Sequence, residues 1–97
     1  MEYVIPEEVL KHVIRKHGMD FSRVLGINRL DLLKRLLEEA LINPDEVHLD
    51  AHNPSIKYFL KKVDGLWLTI IVLENEVRTA YLISSKTYKR FVARRWL

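Results

Sequence analysis

The sequence of 97 residues contains no cysteine, and it has few of the residues that interrupt regular structure, with three glycines and three prolines. Without cysteine the chain can form neither a disulfide nor a thiolate metal site, and it has no thiol nucleophile. The glycines are isolated from one another, so a glycine-rich phosphate loop is also excluded. These absences favour a cytoplasmic protein over a secreted one.

Long hydrophobic segments are missing as well. The longest apolar run, Leu66–Leu73, is far shorter than the roughly 20 residues that a membrane-spanning helix needs. Residues 1–3 do not resemble the start of a signal peptide. We therefore expect no membrane partner, and one domain over residues 1–97 with a single modest core.

Positive charge is concentrated in the C-terminal half, although the net charge of the chain is only +3. Residues 1–46 hold seven Lys and Arg against nine Asp and Glu, whereas residues 47–97 hold nine against four. In residues 84–97 there is no acid, and cations alternate with aromatic residues. Cations suit phosphates and aromatic rings suit bases, so this segment is predicted to bind nucleic acid. The residues assigned to this role are Lys89, Arg90, Arg94 and Arg95.

The alternative interpretation of the same segment is a solvated C-terminal strand or tail whose aromatic rings anchor the core. Composition does not decide between the two. Residues 86–96 fit either a last strand or a short helix.

A first amphipathic helix is predicted near the N-terminus. Pro6 and the two acids after it are a start signal, and Gly18 is the predicted stop. At 100° per residue, the apolar stripe of this helix includes His17, which therefore points inward, while His12 lies toward the polar side.

A second helix follows a connector over residues 18–27. Asn28 is the predicted N-cap, with Asp31 in the third position of a weak capping box. The helix should end before Pro44, because proline disfavours helical structure at the preceding residue.

After this proline the hydrophobic period changes to that of strands. Asp64 and Gly65 between two apolar runs are a strong hairpin signal, and a short polar turn separates the next pair. The predicted strands cover residues 47–51, 56–63, 66–73 and 77–84. The prediction is therefore an α+β domain, with two N-terminal helices packed on one face of a four-stranded antiparallel meander sheet.

The last strand carries two hydroxyl groups among apolar neighbours. Strict alternation places Val77, Thr79 and Tyr81 on one side and Ala80 on the other. If the helices cover the Ala80 side, Thr79 and Tyr81 lie on a free face. If they cover the other side, His17 and Tyr81 meet in the core.

Several kinds of chemistry lack the residues they need. The four histidines have no accompanying acidic motif and the first two lie on different helix faces, so we expect no metal and no cofactor. Serine hydrolysis through Ser84 or Ser85 lacks a nucleophile-elbow context.

Metal-free cleavage of RNA fits the residue types better. The ribose 2′-hydroxyl is the nucleophile, so the protein supplies a base, an acid and groups that stabilise the crowded phosphorane. Histidine titrates near neutrality, lysine and arginine stabilise negative charge, and tyrosine can donate a proton.

Four short segments also stand out for their order along the chain. They are His12-Val13-Ile14-Arg15-Lys16-His17, Asn43-Pro44-Asp45-Glu46-Val47, Gly65-Leu66-Trp67-Leu68 and Val77-Arg78-Thr79-Ala80-Tyr81. In order and spacing they resemble segments of the barnase, EndoU, colicin and RelE-like (BECR) nuclease superfamily, and especially of its phage-associated and toxin-like members.

This resemblance implies a cofactor-free RNA endonuclease. It assigns proton transfer to His17, the lining of the scissile site to Thr79 and Tyr81, and charge stabilisation to Lys86 or Lys89. For each of these residues a purely structural role is the alternative, such as a hydrogen-bonded core histidine.

The resemblance further places Arg15 or His12 near the phosphate, and it implies an antitoxin or immunity protein as a partner. A second copy of the chain is another candidate partner. Two other functions fit the residues: a non-catalytic nucleic-acid-binding module that uses the basic C-terminal segment, and a protein-interaction adaptor.

Overall fold

The computed structural model describes residues 2–97, in which a four-stranded antiparallel sheet lies between two layers of helix. The elements are α1 (Glu7–Leu25), α2 (Leu30–Ile42), β1 (Glu46–Leu49), β2 (Ile56–Val63), β3 (Leu66–Leu73), β4 (Glu76–Ile83) and α3 (Ser85–Arg94). The strands are neighbours in chain order, so the sheet is a meander. The predicted α+β class, with two helices ahead of the sheet, is confirmed. Within the described range, no helix is long and apolar enough to cross a membrane.

Helix α1 starts after Pro6 as predicted, but it does not stop at Gly18. It continues to Leu25 and ends at Gly26, whose φ of 67° is left-handed and whose N–H bonds to the Ser22 carbonyl. The predicted connector over residues 18–27 is therefore wrong. Phe21 explains the longer helix: burying it fully contributes about 1.5–3 kcal/mol, whereas a glycine inside a helix costs about 1 kcal/mol.

Helix α2 begins one residue later than a cap at Asn28 would require. Its N-cap is Arg29, which makes no side-chain capping bond, and Asp31 instead pairs with the Arg29 guanidinium at 2.7 Å. The predicted capping box is therefore wrong. The predicted end before Pro44 is confirmed.

Helices α1 and α2 cover the face of the sheet that includes Ala80, here called the helix face. Leu68, Ile70 and Val72 form a fully buried row on β3, and Ala80 lies beside Ile70 on β4. Fully buried leucines of α2 pack onto this row, together with Phe21 of α1. This apolar layer is the main core.

A β-bulge in β4 changes the face of the sheet on which one predicted side chain lies. Ile71 pairs with Thr79 while the next residue, Val72, pairs with Val77, so Arg78 is an extra residue. Val77 consequently lies on the helix face and is fully buried. Strict alternation, which placed it beside Thr79, was wrong at this position.

The opposite face is not free, because the third helix, α3, packs on it. Of the two structures predicted for residues 86–96, a strand or a short helix, the helix is therefore the one that forms. Ser84 caps α3 by accepting a hydrogen bond from the Thr87 N–H at 3.2 Å. Tyr88 stacks on Trp67 of β3, with ring centroids 4.4 Å apart. We call this side the aromatic face. It is only partly covered, since no residue of α3 is fully buried.

The chain ends beside the outer edge of β1. The Ala51 N–H donates to the Arg95 carbonyl at 2.9 Å, and the Leu97 N–H donates to the Leu49 carbonyl at 2.8 Å. We call residues 95–97 the C-terminal strap. Because the strap pairs with this edge strand, it satisfies backbone groups that would otherwise be open to other chains.

Candidate active site

The predicted hydroxyl pair lies on the aromatic face, between α1 and α3. Tyr81 pairs with Thr69, and Thr79 pairs with Ile71 one pleat further along. Both hydroxyl-bearing residues of β4 are half-buried, so each retains a surface that reaches solvent.

His17 reaches this strip from α1. Its ring centroid is 5.7 Å from that of Tyr81, and the two rings are tilted by 44°. The helices cover the Ala80 side, yet His17 and Tyr81 still meet, because β4 is an edge strand and α1 packs mainly on it. The two predicted alternatives are therefore not exclusive: the contact forms at the rim of the sheet rather than in the core.

Within residues 2–97, the imidazole of His17 makes no hydrogen bond, so the structure does not support a hydrogen-bonded core histidine. Burial lowers the pKa of His17 below 6.5, and the charges of Lys16 and His12 lower it further, against an opposing effect of Asp20. The imidazole is therefore mostly neutral at pH 7. A neutral imidazole can accept a proton.

The pKa of Tyr81 is shifted in the opposite direction. Burial raises it above 10, while the positive charge of Arg95 acts against the rise. Tyr81 therefore stays protonated near neutrality and can donate. Two titratable groups whose pKa values are pushed apart are the usual arrangement for a base and an acid.

A second tyrosine, Tyr58, belongs to the buried cluster against which Tyr81 packs. The Tyr58 hydroxyl donates to Asp50 Oδ1 at 2.6 Å. Burial and the bond to Asp50 raise the pKa of Tyr58 to about 12, with a smaller increase from Tyr81 and a decrease from Arg95. The guanidinium of Arg95 thus acts on both tyrosines, and it lies over the ring of Phe91 at 4.7 Å.

Arg95 was predicted to bind nucleic acid, whereas no local pattern singled out Tyr58 or Asp50. Tyr58 could have been found from the alternation of β2, once the register with β3 and β4 was known. Asp50 carried no signal, because it follows a short strand and its link to Tyr58 depends on the loop that returns to β2.

Lys86, the other predicted catalytic residue, makes no polar contact with the pair within residues 2–97. Lys86 is exposed in the first turn of α3, and no hydrogen bond or ion pair in the described chain joins it to His17, Thr79 or Tyr81. Arg95 is the cation whose charge acts on Tyr81.

The predicted binding residues lie on two helices. His12 is half-buried on α1 and its charge acts on His17, while Arg15 is exposed on the same helix. Lys89, Arg90 and Arg94 are exposed on α3. In residues 2–97, none of these three cations takes part in an ion pair, so their charge is available to a phosphate backbone.

A separate polar cluster on β1 has its groups committed to one another. Glu46 Oε1 lies 2.7 Å from both His48 Nε2 and the Tyr88 hydroxyl. Although burial acts to raise it, the bonds from His48 and Tyr88 hold the pKa of Glu46 below its ordinary value. The hydrogen bond between Tyr88 and Glu46 also raises the pKa of Tyr88, to about 12. This cluster anchors α3 to the sheet.

Other kinds of site are not indicated. In the described part of the chain, no group of three or more His, Cys, Asp or Glu side chains is placed to hold a metal ion. A surface cavity at the N-terminal ends of α1 and α2 is lined by Glu7, Asp31 and Lys34 with apolar residues, away from the His17–Tyr81 pair.

Comparisons of the chain with protein-family models, with curated proteins and with solved structures found no match. The resemblance to the nuclease superfamily therefore stays a prediction. The observations that bear on function are the geometry and electrostatics of the His17–Tyr81 pair.

Proposed function

We propose that the protein is a metal-independent RNA endonuclease, in which the ribose 2′-hydroxyl attacks the adjacent phosphate. The observation that carries the proposal is the contact between His17 and Tyr81, whose pKa values are shifted in opposite directions. The two residues are 64 positions apart in the chain, so neighbouring sequence does not account for their contact.

In the proposed reaction, neutral His17 takes the proton of the 2′-hydroxyl as its oxygen forms a bond to phosphorus. The bond from phosphorus to the 5′-oxygen then breaks, and Tyr81 donates its proton to that oxygen. The products are a 2′,3′-cyclic phosphate and a free 5′-hydroxyl, so atoms and protons balance. General acid–base catalysis of this kind contributes about 10²–10⁴-fold for each group.

Arg95 and Thr79 complete the proposed site. The guanidinium would stabilise the negative charge that develops on the phosphorane, and the Thr79 hydroxyl would donate to a non-bridging oxygen. Lys89, Arg90 and Arg94 would hold the flanking RNA backbone, which predicts binding that weakens steeply with salt.

A toxin-like ribonuclease would act on RNA in the cytoplasm and would need restraint in its own cell. We therefore include an antitoxin or immunity protein among the proposed partners. Its acidic surface would compete with RNA for the exposed cations of α3.

The first test is cleavage of a labelled RNA in EDTA by the wild-type protein and by two variants, His17→Ala and Tyr81→Phe. Each variant should lose about 10²–10⁴-fold in kcat/KM, because each removes one proton-transfer group. Gel analysis gives the rate, and mass spectrometry identifies the cyclic phosphate.

Two matched controls separate lost chemistry from lost folding. Tyr3→Phe also removes one tyrosine hydroxyl, and His52→Ala also removes one histidine, at an exposed position. In residues 2–97 neither side chain makes a hydrogen bond, so both controls should cleave at the wild-type rate. Undiminished cleavage by both site variants would falsify the assignment.

A non-catalytic nucleic-acid-binding module is the second candidate function. It is favoured by the exposed cations of α3 that lack ion pairs. It predicts salt-dependent RNA binding with no product, and charge reversal at Arg94 should weaken that binding.

A further inference from the structure

The C-terminal strap has one buried side chain between two exposed ones. Trp96 is 6% exposed, whereas Arg95 and Leu97 are exposed. The Trp96 ring stacks on His48 with centroids 4.9 Å apart, and it lies 5.3 Å from Tyr58. A buried tryptophan contributes strongly to packing, so this ring is the main attachment of the strap to the aromatic face.

The backbone beside Trp96 is held as well. Asp50 and Trp96 form an antiparallel bridge, and the Ala51 N–H donates to the Arg95 carbonyl at 2.9 Å. Asp50 is also the acceptor for Tyr58, at 2.6 Å. One loop therefore fixes both the strap backbone and Tyr58, which belongs to the buried cluster against which Tyr81 packs.

These attachments determine where Arg95 sits. Its carbonyl is bonded to Ala51, its guanidinium lies over the ring of Phe91, and its charge acts on Tyr58 and Tyr81. In the described chain, no acidic group pairs with it. Without these attachments the Arg95 side chain would keep its rotamer freedom and would be spread over many positions.

We infer that Trp96 is a positioning residue: docking of the strap on β1 holds the Arg95 guanidinium over the Phe91 ring on the aromatic face, and so sets how strongly this face binds a phosphate. The inference deepens the proposed function and rests on it for the identity of the site. It concerns phosphate binding, which can be measured without cleavage.

A double-mutant cycle tests this inference. Arg95→Ala, Trp96→Ala and the double variant are compared with the wild type for binding of a single-stranded oligodeoxynucleotide, which lacks the 2′-hydroxyl nucleophile. Each single variant should weaken binding about 10-fold, the scale of one charge-assisted contact. If Trp96 acts through Arg95, the double variant should be no weaker than Arg95→Ala alone. Multiplied losses of about 100-fold would overturn the inference.

Two further variants keep the test decisive where Trp96→Ala is too unstable to measure. Trp96→Phe retains an aromatic ring and should bind nearly as the wild type does. Ala51→Pro removes the N–H that bonds to the Arg95 carbonyl and leaves Trp96 in place, so it should reproduce the loss of Trp96→Ala. Wild-type affinity in Ala51→Pro, or losses that multiply with Arg95→Ala, would contradict the inference.

The same variants separate this inference from the proposed function. Wild-type protein that binds without cleaving, with coupled losses in the cycle, supports the strap inference and removes the ribonuclease. If the wild type cleaves RNA and the losses of binding in the two single variants multiply in the double variant, the ribonuclease is supported and the strap inference is overturned. If the wild type neither binds nor cleaves at low salt, both are overturned.

Discussion

The two faces of the sheet are built from different kinds of residue. The helix face has fully buried aliphatic side chains, such as Leu68 and Ile70, under two helices. The aromatic face has stacked rings, such as Trp67 under Tyr88, and polar groups that hold one another, such as Glu46. The helix that covers it buries none of its own residues fully. The difference indicates that one face supplies stability and the other can carry chemistry.

Magnitudes support this division. A fully buried aliphatic side chain contributes about 1.5–3 kcal/mol, whereas a stacked aromatic pair adds about 0.5–1.5 kcal/mol and a hydrogen bond about 1 kcal/mol. Polar groups on the aromatic face therefore cost the fold little while they have partners. Partial cover also leaves His17 and Tyr81 within reach of a ligand.

The largest expected effect on stability comes from a substitution in the buried layer of the helix face. Leu68→Ala should lower the free energy of unfolding by about 2–5 kcal/mol, because it leaves a cavity in a fully buried layer. Ile71→Ala, on the aromatic face of the same strand and half-buried, should cost clearly less. Urea denaturation of both variants measures the difference, and equal losses would contradict the division between the faces.

A smaller effect is expected from Tyr88→Phe, which keeps the stacked ring and removes the donor to Glu46. The loss should be about 1 kcal/mol, a low value because the Glu46 carboxylate is partly exposed and screened. The folded-state pKa of Glu46 lies below its unfolded value of 4.5, so the carboxylate contributes stability above pH 4.5 and loses it as the pH falls. The variant and the wild type should therefore converge in acid, and a constant difference between pH 7 and pH 3 would count against this account.

The smallest expected effect is a shift in the pH dependence of RNA cleavage, which tests the role of His17. The rate of RNA cleavage should rise with pH through a midpoint below 6.5, as His17 becomes neutral, and should fall only above pH 10 as Tyr81 ionises. Lys16→Gln removes a neighbouring charge that lowers the pKa of His17, so it should move this midpoint upward. A midpoint that does not move would indicate that another group controls the acid limb.

Local signals predicted much of the fold. Alternation placed β2 and β3 at their observed bounds, and Asp64-Gly65 forms the expected turn, with φ of 50° and 81° at the two residues. The errors occurred where long-range packing overrides a local signal. Phe21 extends α1 past Gly18, and the bulge at Arg78 turns Val77 into the core.

The candidate site was predicted less completely, and for the same reason. Helix phasing and alternation identified His17 and Tyr81 one at a time. Their contact depends on β4 being the edge strand beside α1, which no periodicity encodes. Tyr58 and Arg95 join them through strand register and the docking of the strap.

The amino-acid sequence by itself determined the order of the first two helices and the four strands, the absence of thiol chemistry and the basic C-terminal segment, because these follow from residue types and spacings of a few positions. Tertiary structure alone decided which face each helix covers, that His17 meets Tyr81, and that the Arg95 guanidinium lies over Phe91. Those outcomes join residues tens of positions apart, and they are set by the burial of apolar surface and by the hydrogen-bond register of the sheet.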